Sequence, residues 1–312
     1  MKILIIGVSG FLGNHLLRLL RLEENRIIIG TGKKSEYTGK IPLERYISLD
    51  ITKFKDVKTV IEEIKPTHVY NMAGIIPGIR ENLEDAMLQV NCMGAINILE
   101  SVKQICPNTK ILFVGSAAEY GSVKEGENPI DESHFCKPVG FYGVSKYYMS
   151  TIAQDYFQKW NLQVVIARPF NLIGPEMSFE TVAGAFLKRS RAALNLGNIG
   201  DVKMGDLTAE RDFLDVRDVI RGCILLMNQG NAGEIYNIAS GTPIKIEYII
   251  QTLQSYFQGR IRLVKDKNIK KNNDVSRVYG NADKIKKLGF EVKITLEESL
   301  YDSWKFEMED LI

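Results

Sequence analysis

Tyr142 and Lys146 stand four residues apart in the stretch Phe141-Tyr142-Gly143-Val144-Ser145-Lys146. On a helix that spacing puts both side chains on one face. An ammonium beside a phenol favours the phenolate and so lowers its pKa. Such a pair gives a proton to a substrate oxygen, or takes one from it, near neutral pH. The same spacing recurs at Tyr120/Lys124 and Tyr301/Lys305. The elements around each pair must choose between them.

Residues 2–6 are a short apolar run that leads into Gly7-Val8-Ser9-Gly10-Phe11-Leu12-Gly13, after which Leu12, Leu16, Leu19 and Leu20 recur at helical spacing. Strand, glycine turn and helix form the context in which this glycine pattern takes a dinucleotide. Gly7 and Gly10 permit the tight turn and the approach of a pyrophosphate to the helix N-terminus, and Gly13 lets the helix pack on the strand. A second strand, 26–30, is followed by Thr31-Gly32-Lys33-Lys34, with no acid to accept from a ribose 2′-hydroxyl. The lysines favour a 2′-phosphate, hence NADP(H) over NAD, with solvated loop charges as the alternative.

A third strand over 46–49 ends at Asp50 and Ile51, and 53–64 reads as a helix. Strand 67–70 precedes Asn71-Met72-Ala73-Gly74, small enough to lie beneath a cofactor. A long helix spans about 81–105 and contains Asn91. Strand 110–114 runs into Gly115-Ser116-Ala117-Ala118-Glu119-Tyr120, a helix covers 142–160, and strand 163–167 closes on Arg168-Pro169-Phe170-Asn171. The alternation predicts an α/β fold with a doubly wound, mostly parallel sheet. Beyond Gly174-Pro175 it loosens into helices at 182–194, 216–227, 246–257 and 295–308, with strands at 234–238 and 260–264. Residues 1–171, with return segments near 212–239, therefore read as a dinucleotide-binding domain. Residues 172–211 and 240–312 read as a smaller α/β substrate lobe.

In an open parallel sheet the ligand lies outside the carboxyl ends of the strands. Ser116 follows the fifth strand on the edge shared by Gly7, Asn71 and Asn171, and Tyr142 and Lys146 open the next helix. Tyr120/Lys124 falls in a polar loop, and Tyr301/Lys305 lies in the last helix, far along the chain from any strand end. Tyr142/Lys146 is the chosen pair.

With 312 residues, 45% hydrophobic and 25% charged, the chain has a soluble globular composition. A net charge of +2 argues against nucleic acid or an anionic membrane as partner. The four cysteines show no CxxC pairing and no metal-like clustering with the three histidines, so no metal is expected. The basic run 267–271 reads as solvated loop. With no signal-peptide pattern and no run long enough to span a bilayer, a cytoplasmic location is expected.

Gly7-x-x-Gly10-x-x-Gly13, Asn71-x-Ala73-Gly74, Ser116 ahead of Tyr120-Gly121, and Tyr142-x-x-x-Lys146 together resemble the extended short-chain dehydrogenase/reductase family, also called the NAD-dependent epimerase/dehydratase family, over nearly the whole chain. The resemblance implies a Rossmann domain whose members mostly act on nucleotide-linked sugars. It implies Tyr142 as acid/base, Lys146 holding the nicotinamide ribose, and Ser116 hydrogen-bonding the sugar oxygen. Cofactor contacts are implied from Gly7, Ser9, Gly10, Phe11, Leu12, Gly13, Lys33, Asp50, Ile51, Met72, Ala73, Gly74 and Pro169, as well as from Tyr142 and Lys146. Asn91 would support Lys146 through water, with a packed helix asparagine as the alternative. A homodimer through a four-helix bundle, formed by helices near 81–105 and 142–160, is implied as well.

Arg211-Asp212-Phe213-Leu214-Asp215-Val216-Arg217-Asp218-Val219, with Arg168-Pro169-Phe170-Asn171-x-x-Gly174-Pro175, is similar to the branch that holds GDP-mannose 4,6-dehydratases and GDP-4-keto-6-deoxymannose reductases. In that branch Arg211 meets a pyrophosphate and Asn171 the sugar or diphosphate; an ion pair of Arg211 with Asp212 or Asp215 is the alternative. Lys271-Asn272-Asn273-Asp274 stands where relatives often have Arg-Pro, so Lys271 offers charge without a bidentate fork. Dehydratases of the branch carry a Glu two residues before the tyrosine of the Tyr-Gly turn. Here that position is Ala118, beside Ala117, and Glu119 is one residue late and points elsewhere. The expectation is NADP(H)-dependent reduction at C4 of a nucleotide-diphospho-4-keto-6-deoxyhexose in deoxysugar synthesis. A 4-epimerase with tightly bound NAD is the rival, and a non-catalytic cofactor sensor the third reading. Phe141 beside the tyrosine lines the sugar pocket or packs in the core.

Overall fold

The structure is a computed structural model describing residues 1–39, 41–77, 83–197, 199–266, 269 and 276–309. Its first half runs β1 (Lys2–Ile6), α1 (Phe11–Leu20), β2 (Ile27–Gly32), β3 (Arg45–Ser48), α2 (Phe54–Ile64), β4 (His68–Asn71), α3 (Leu83–Met87), α4 (Gly94–Ile105), β5 (Lys110–Val114), α5 (Gly140–Trp160) and β6 (Val164–Pro169). The second half runs β7 (Asn171–Ile173), α6 (Val182–Leu196), β8 (Gly200–Met204), β9 (Glu210–Asp215), α7 (Val216–Gln229), β10 (Ile235–Ile238), β11 (Pro243–Lys245), α8 (Ile246–Ser255), β12 (Ile261–Lys265), β13 (Arg277–Val278), α9 (Asp283–Lys286) and α10 (Leu296–Met308).

Among the described residues, seven strands form the main sheet in the order β10-β6-β5-β4-β1-β2-β3, every pair parallel. β1 and β5, near the middle of the sheet, are nearly unbroken apolar runs because helices cover both faces. Ile3 and Ile5 of β1 join a core with Leu16, Leu17, Val219 and Ile220 of α1 and α7. Leu4 and Ile6, one residue out of phase, join the opposite core with Val57, Ile61, Ile98 and Leu99 of α2 and α4. The strand order reverses at β1, so the crevice of a doubly wound sheet opens past the ends of β1 and β4.

β10 adds to the main sheet beside β6, while β9 pairs with β7, β11 and β13, and β8 pairs with β12. A third core, including Phe186, Val202, Phe213, Ile249 and Leu300, underlies these shorter strands. The sequence reading missed β7, β8, β9, β11 and β13. β9 buries Asp212 and Asp215 beside Phe213 and Leu214, so neither its polarity nor its period reads as a strand. The helix expected over about 81–105 is α3 and α4 joined through a π-helical turn, Leu88–Met93. Among the described residues no helix is long and apolar enough to cross a membrane.

Candidate active site

β1 delivers the chain to Gly7, which takes φ +83°, and the Gly7 and Val8 amides both donate to Thr31 O, at 2.9 and 3.0 Å. A Cβ on Gly13 would stand 2.1 Å from Gly7 O, and one on Gly7 would stand 2.8 Å from Ala73 N. The close packing of turn, helix and the Met72-Ala73 loop therefore requires bare backbone here. Gly10 precedes α1 in extended conformation with no side-chain cap, leaving first-turn amides for an anion. Ser9 and Gly10 are exposed, and Phe11 and Leu12 half-buried. This cradle fits a dinucleotide pyrophosphate.

Along the same edge, Lys33 is exposed and ion-paired with Asp50 at 3.1 Å. Burial would raise the Asp50 carboxyl, but Thr52 and Lys33 outweigh it and hold the group below its ordinary value. Ile51 is buried against Gly94, and its carbonyl accepts from Asn97 Nδ2 at 2.8 Å. Met72 and Pro169 are buried, and Gly74 is exposed.

β5 ends at Val114, and Ser116 caps the short helical turn Ala117–Glu119. Its Oγ accepts from Ala118 N at 3.1 Å, and Glu119 Oε1 accepts from Ser116 N at 2.8 Å. α5 lies against this turn so closely that a Cβ on Gly143 would stand 2.6 Å from Ala118 O. That contact brings the Tyr142 phenol beside Ser116, whose hydroxyl favours the phenolate. Lys146, one turn on, is buried and donates to Val114 O at 2.8 Å.

The electrostatics differ from the sequence expectation of a phenol pulled down by Lys146. Burial pushes the Tyr142 phenol up, the Ser116 hydroxyl opposes it, and Glu119 adds to the rise. Lys146 is itself pushed down to about 8 by burial, against the pull of Glu119 and Cys92. Removal from water outweighs the neighbouring charge for both groups.

Asn91 lies in the π turn. Its Oδ1 accepts from Ile75 N at 2.9 Å, and its Nδ2 donates to Ile75 O and Ser145 Oγ at 3.1 and 2.9 Å. It thus ties the loop after β4 to α5 beside Lys146, in the setting where π turns tend to occur. Phe141 is 54% exposed, which removes the core-packing reading. Tyr120, of the rejected pair, is wholly buried and donates to Asn237 Oδ1 at 2.7 Å. Tyr301 meets Tyr256 edge-to-face and packs tilted against Trp304.

The candidate substrate residues lie on β7 and β9. Asn171 donates to Asp212 O at 2.9 Å, and half-buried Arg211 donates to Glu210 O at 2.8 Å. The Asp212 and Asp215 carboxylates, named as alternative partners for Arg211, serve Ser240, Gly241 and Gly280 and Arg217 and Ser299 respectively. Lys271 lies outside the described residues. Sequence reasoning missed the ion pair between Glu119 and Arg168, at 2.6 Å and wholly buried. It also missed a cleft of about 370 Å³ lined by Ser9, Asn14, Glu176, Met177 and Phe179, in which Asn14 donates to Glu176.

The profile of the NAD dependent epimerase/dehydratase family matches residues 3–239. The chain belongs to that family. It is an NAD(P)-dependent oxidoreductase or epimerase of a group that modifies nucleotide sugars. The GDP-6-deoxy-D-mannose reductase of Pseudomonas aeruginosa is 28% identical over 306 residues, covering 96% of this chain and 94% of its own. The structure of RMD from Pseudomonas aeruginosa complexed with NADPH superposes with a TM-score of 0.84 at 27% identity, covering 99% of both chains. The UDP-glucose 4-epimerase of Thermotoga maritima superposes at 0.86 over the whole of both chains, and at 24% identity shares the fold.

Proposed function

We propose that this protein is an NADP(H)-dependent reductase of the C4 ketone of a nucleotide-diphospho-4-keto-6-deoxyhexose, GDP-linked by preference, in deoxysugar and surface-polysaccharide synthesis. One observation carries the reading. The turn facing Tyr142 offers the Ser116 hydroxyl and otherwise presents Ala117 and Ala118, while the carboxylate of Glu119 is engaged by Arg168 and Ser116 N. Eliminating water across C5–C6 needs a further base and acid, whereas reducing C4 needs a single proton donor. The likeness to a GDP-6-deoxy-D-mannose reductase and to an NADPH-bound structure favours the same substrate class and cofactor.

The glycine cradle from Gly7 to Gly13 would hold the pyrophosphate of NADP(H), and Lys33 and Asp50 the adenosine end. Met72 to Gly74, Asn91, Pro169 and Lys146 would line the rest. The bound cofactor supplies hydride. Tyr142 gives its phenolic proton to the C4 oxygen as the carbonyl becomes a hydroxyl, and Ser116 Oγ holds that oxygen against the phenol. The Lys146 ammonium stabilises the tyrosinate left behind. Asn171, Arg211 and Lys271 are the proposed contacts to the sugar diphosphate. Exposed Leu88 and Met93 before α4, with Phe141, Val144 and Tyr148 on α5, support a homodimer through these helices.

A panel of nucleotide-diphospho-4-ketosugars with NADPH and NADH tests the reading. Oxidation of NADPH by a GDP-linked 4-keto-6-deoxyhexose is expected. No oxidation with any ketosugar, together with epimerisation of a plain nucleotide hexose by protein carrying nicotinamide that does not wash out, replaces it with the epimerase.

A further inference from the structure

We propose that Glu119 and Arg168 are positioning residues of the active site: a buried ion pair that fixes the Ser116 backbone and sets a counter-charge behind Tyr142 and Lys146. The proposal rests on the reading of Ser116, Tyr142 and Lys146 as the reacting centre.

Both members lie out of solvent, Glu119 at 0% and Arg168 at 1% exposure. Burying such a pair brings little net stability compared with well-packed apolar side chains, so packing alone gives it no reason to exist. Its geometry supplies one. Glu119 divides its oxygens, Oε2 accepting from Arg168 Nη2 at 2.6 Å and Oε1 from Ser116 N at 2.8 Å. The site is built tightly around that carboxylate, since a Cβ on Gly115 would stand 2.3 Å from Oε1. Ser116 is held by its backbone while its hydroxyl meets Ala118 N and the Tyr142 phenol. On the far side, the Arg168 guanidinium lies 4.6 Å over the Tyr120 ring, whose hydroxyl is bonded to Asn237 on β10. One carboxylate therefore connects the turn after β5 to the end of β6 and, through Tyr120, to β10.

The charge matters as well as the shape. The titratable groups that face Lys146 are Glu119 from the turn after β5 and Cys92 from the π turn. Tyr142 shares its helix, and Arg168 stands behind Glu119. Glu119 is the fixed anion of the set. Without it, Lys146 and Arg168 are buried cations with no carboxylate between them, and Lys146 sheds its proton at lower pH.

Glu119→Gln keeps the size and an oxygen for Ser116 N while removing the charge. Lysine ¹³Cε resonances of the cofactor-free protein are followed against pH, the Lys146 signal being identified by its loss in Lys146→Met. The wild-type midpoint of about 8 is expected to fall by about one pH unit in Glu119→Gln, and the alkaline limb of kcat to move with it. A folded Glu119→Gln with an unmoved Lys146 midpoint overturns the proposal. If Glu119→Gln does not fold, Glu119→Asp decides. It keeps the charge but withdraws it by one methylene, so the Lys146 midpoint is expected to hold while kcat falls about tenfold at unchanged KM; wild-type kcat overturns it. The titration needs no turnover, so full activity in Tyr142→Phe would sink the catalytic reading and leave the Lys146 result to be judged separately.

Discussion

The corner between β5 and α5 and the stretch 210–218 are both rich in charge, and they use it in opposite ways. In the second region almost every acid is saturated by hydrogen-bond partners. Asp212 accepts from Ser240 N, Ser240 Oγ, Gly241 N and Gly280 N. Asp215 caps α7 while taking Arg217 and Ser299, and Asp218 takes Arg221 together with the amides of Lys293 and Ile294. These acids stitch the segments after β10 and before α10 onto β9 and α7. At the corner the groups are fewer and less fully matched: Lys146 donates to Val114 O, and Tyr142 meets Ser116. A saturated partner set marks scaffold, and spare donors beside a strand end mark chemistry.

The largest test of that contrast is a pair of substitutions. Tyr142→Phe is expected to lower kcat by about a thousandfold, the middle of the range for a positioned acid, with the unfolding midpoint unchanged and cofactor still bound. Asp218→Ala is expected to do the reverse. It strips a fully buried carboxylate from two amides and Arg221, so denaturant unfolding should show a loss of about 3 kcal/mol while kcat/KM of the folded fraction stays put. Lost turnover at full stability in Asp218→Ala would erase the distinction.

Legibility followed the same divide. β1, β5 and the first part of β6 were readable because strands buried on both faces are plain apolar runs, and the glycine turn is local in sequence. Tyr142 and Lys146 came from a spacing of four, and Ser116 from its place after a strand. Gly143 gave no signal, since its meaning is that an added Cβ would stand 2.6 Å from Ala118 O, a closeness that exists after folding. The Glu119–Arg168 pair joins residues 49 apart, and local spacing carries no trace of it. β9 was read as a charged motif because its acids are buried by bonds to distant backbone. Arg211 was assigned an alternative partner in Asp212 or Asp215, but those carboxylates are taken up elsewhere.

Spare capacity at Lys146 also predicts a pH response. Burial has moved its pKa from the ordinary 10.5 down to about 8, so the ammonium is complete below that value and lost as pH rises through it. Turnover that depends on the ammonium should be flat towards neutrality and fall above about pH 8, approaching tenfold per further pH unit. Asp215, held below its ordinary value by Arg217 and Ser299 against its burial, contributes no such limb. A profile that stays flat to pH 10 would mean that the charge of Lys146 is not used.

The smallest effect is expected at Lys33, where the comparison can be carried to the surface. Lys33 stands where a 2′-phosphate would be recognised, but it is 81% exposed and already paired with Asp50 at 3.1 Å. By the partner argument it is a matched charge, and an exposed pair of this kind is worth up to about 1 kcal/mol. Lys33→Ala should therefore weaken NADPH binding by no more than about fivefold, partly because Asp50 is left without its counter-charge near the ribose. Lys34, whose Nζ has a long 3.4 Å contact with Thr38 Oγ1, is the freer cation, and Lys34→Ala should cost more. Titration of both variants with NADPH and NADH decides. If Lys33→Ala abolishes the preference for NADPH while Lys34→Ala leaves it intact, a matched charge is performing recognition, and partner saturation separates scaffold from chemistry in the interior alone.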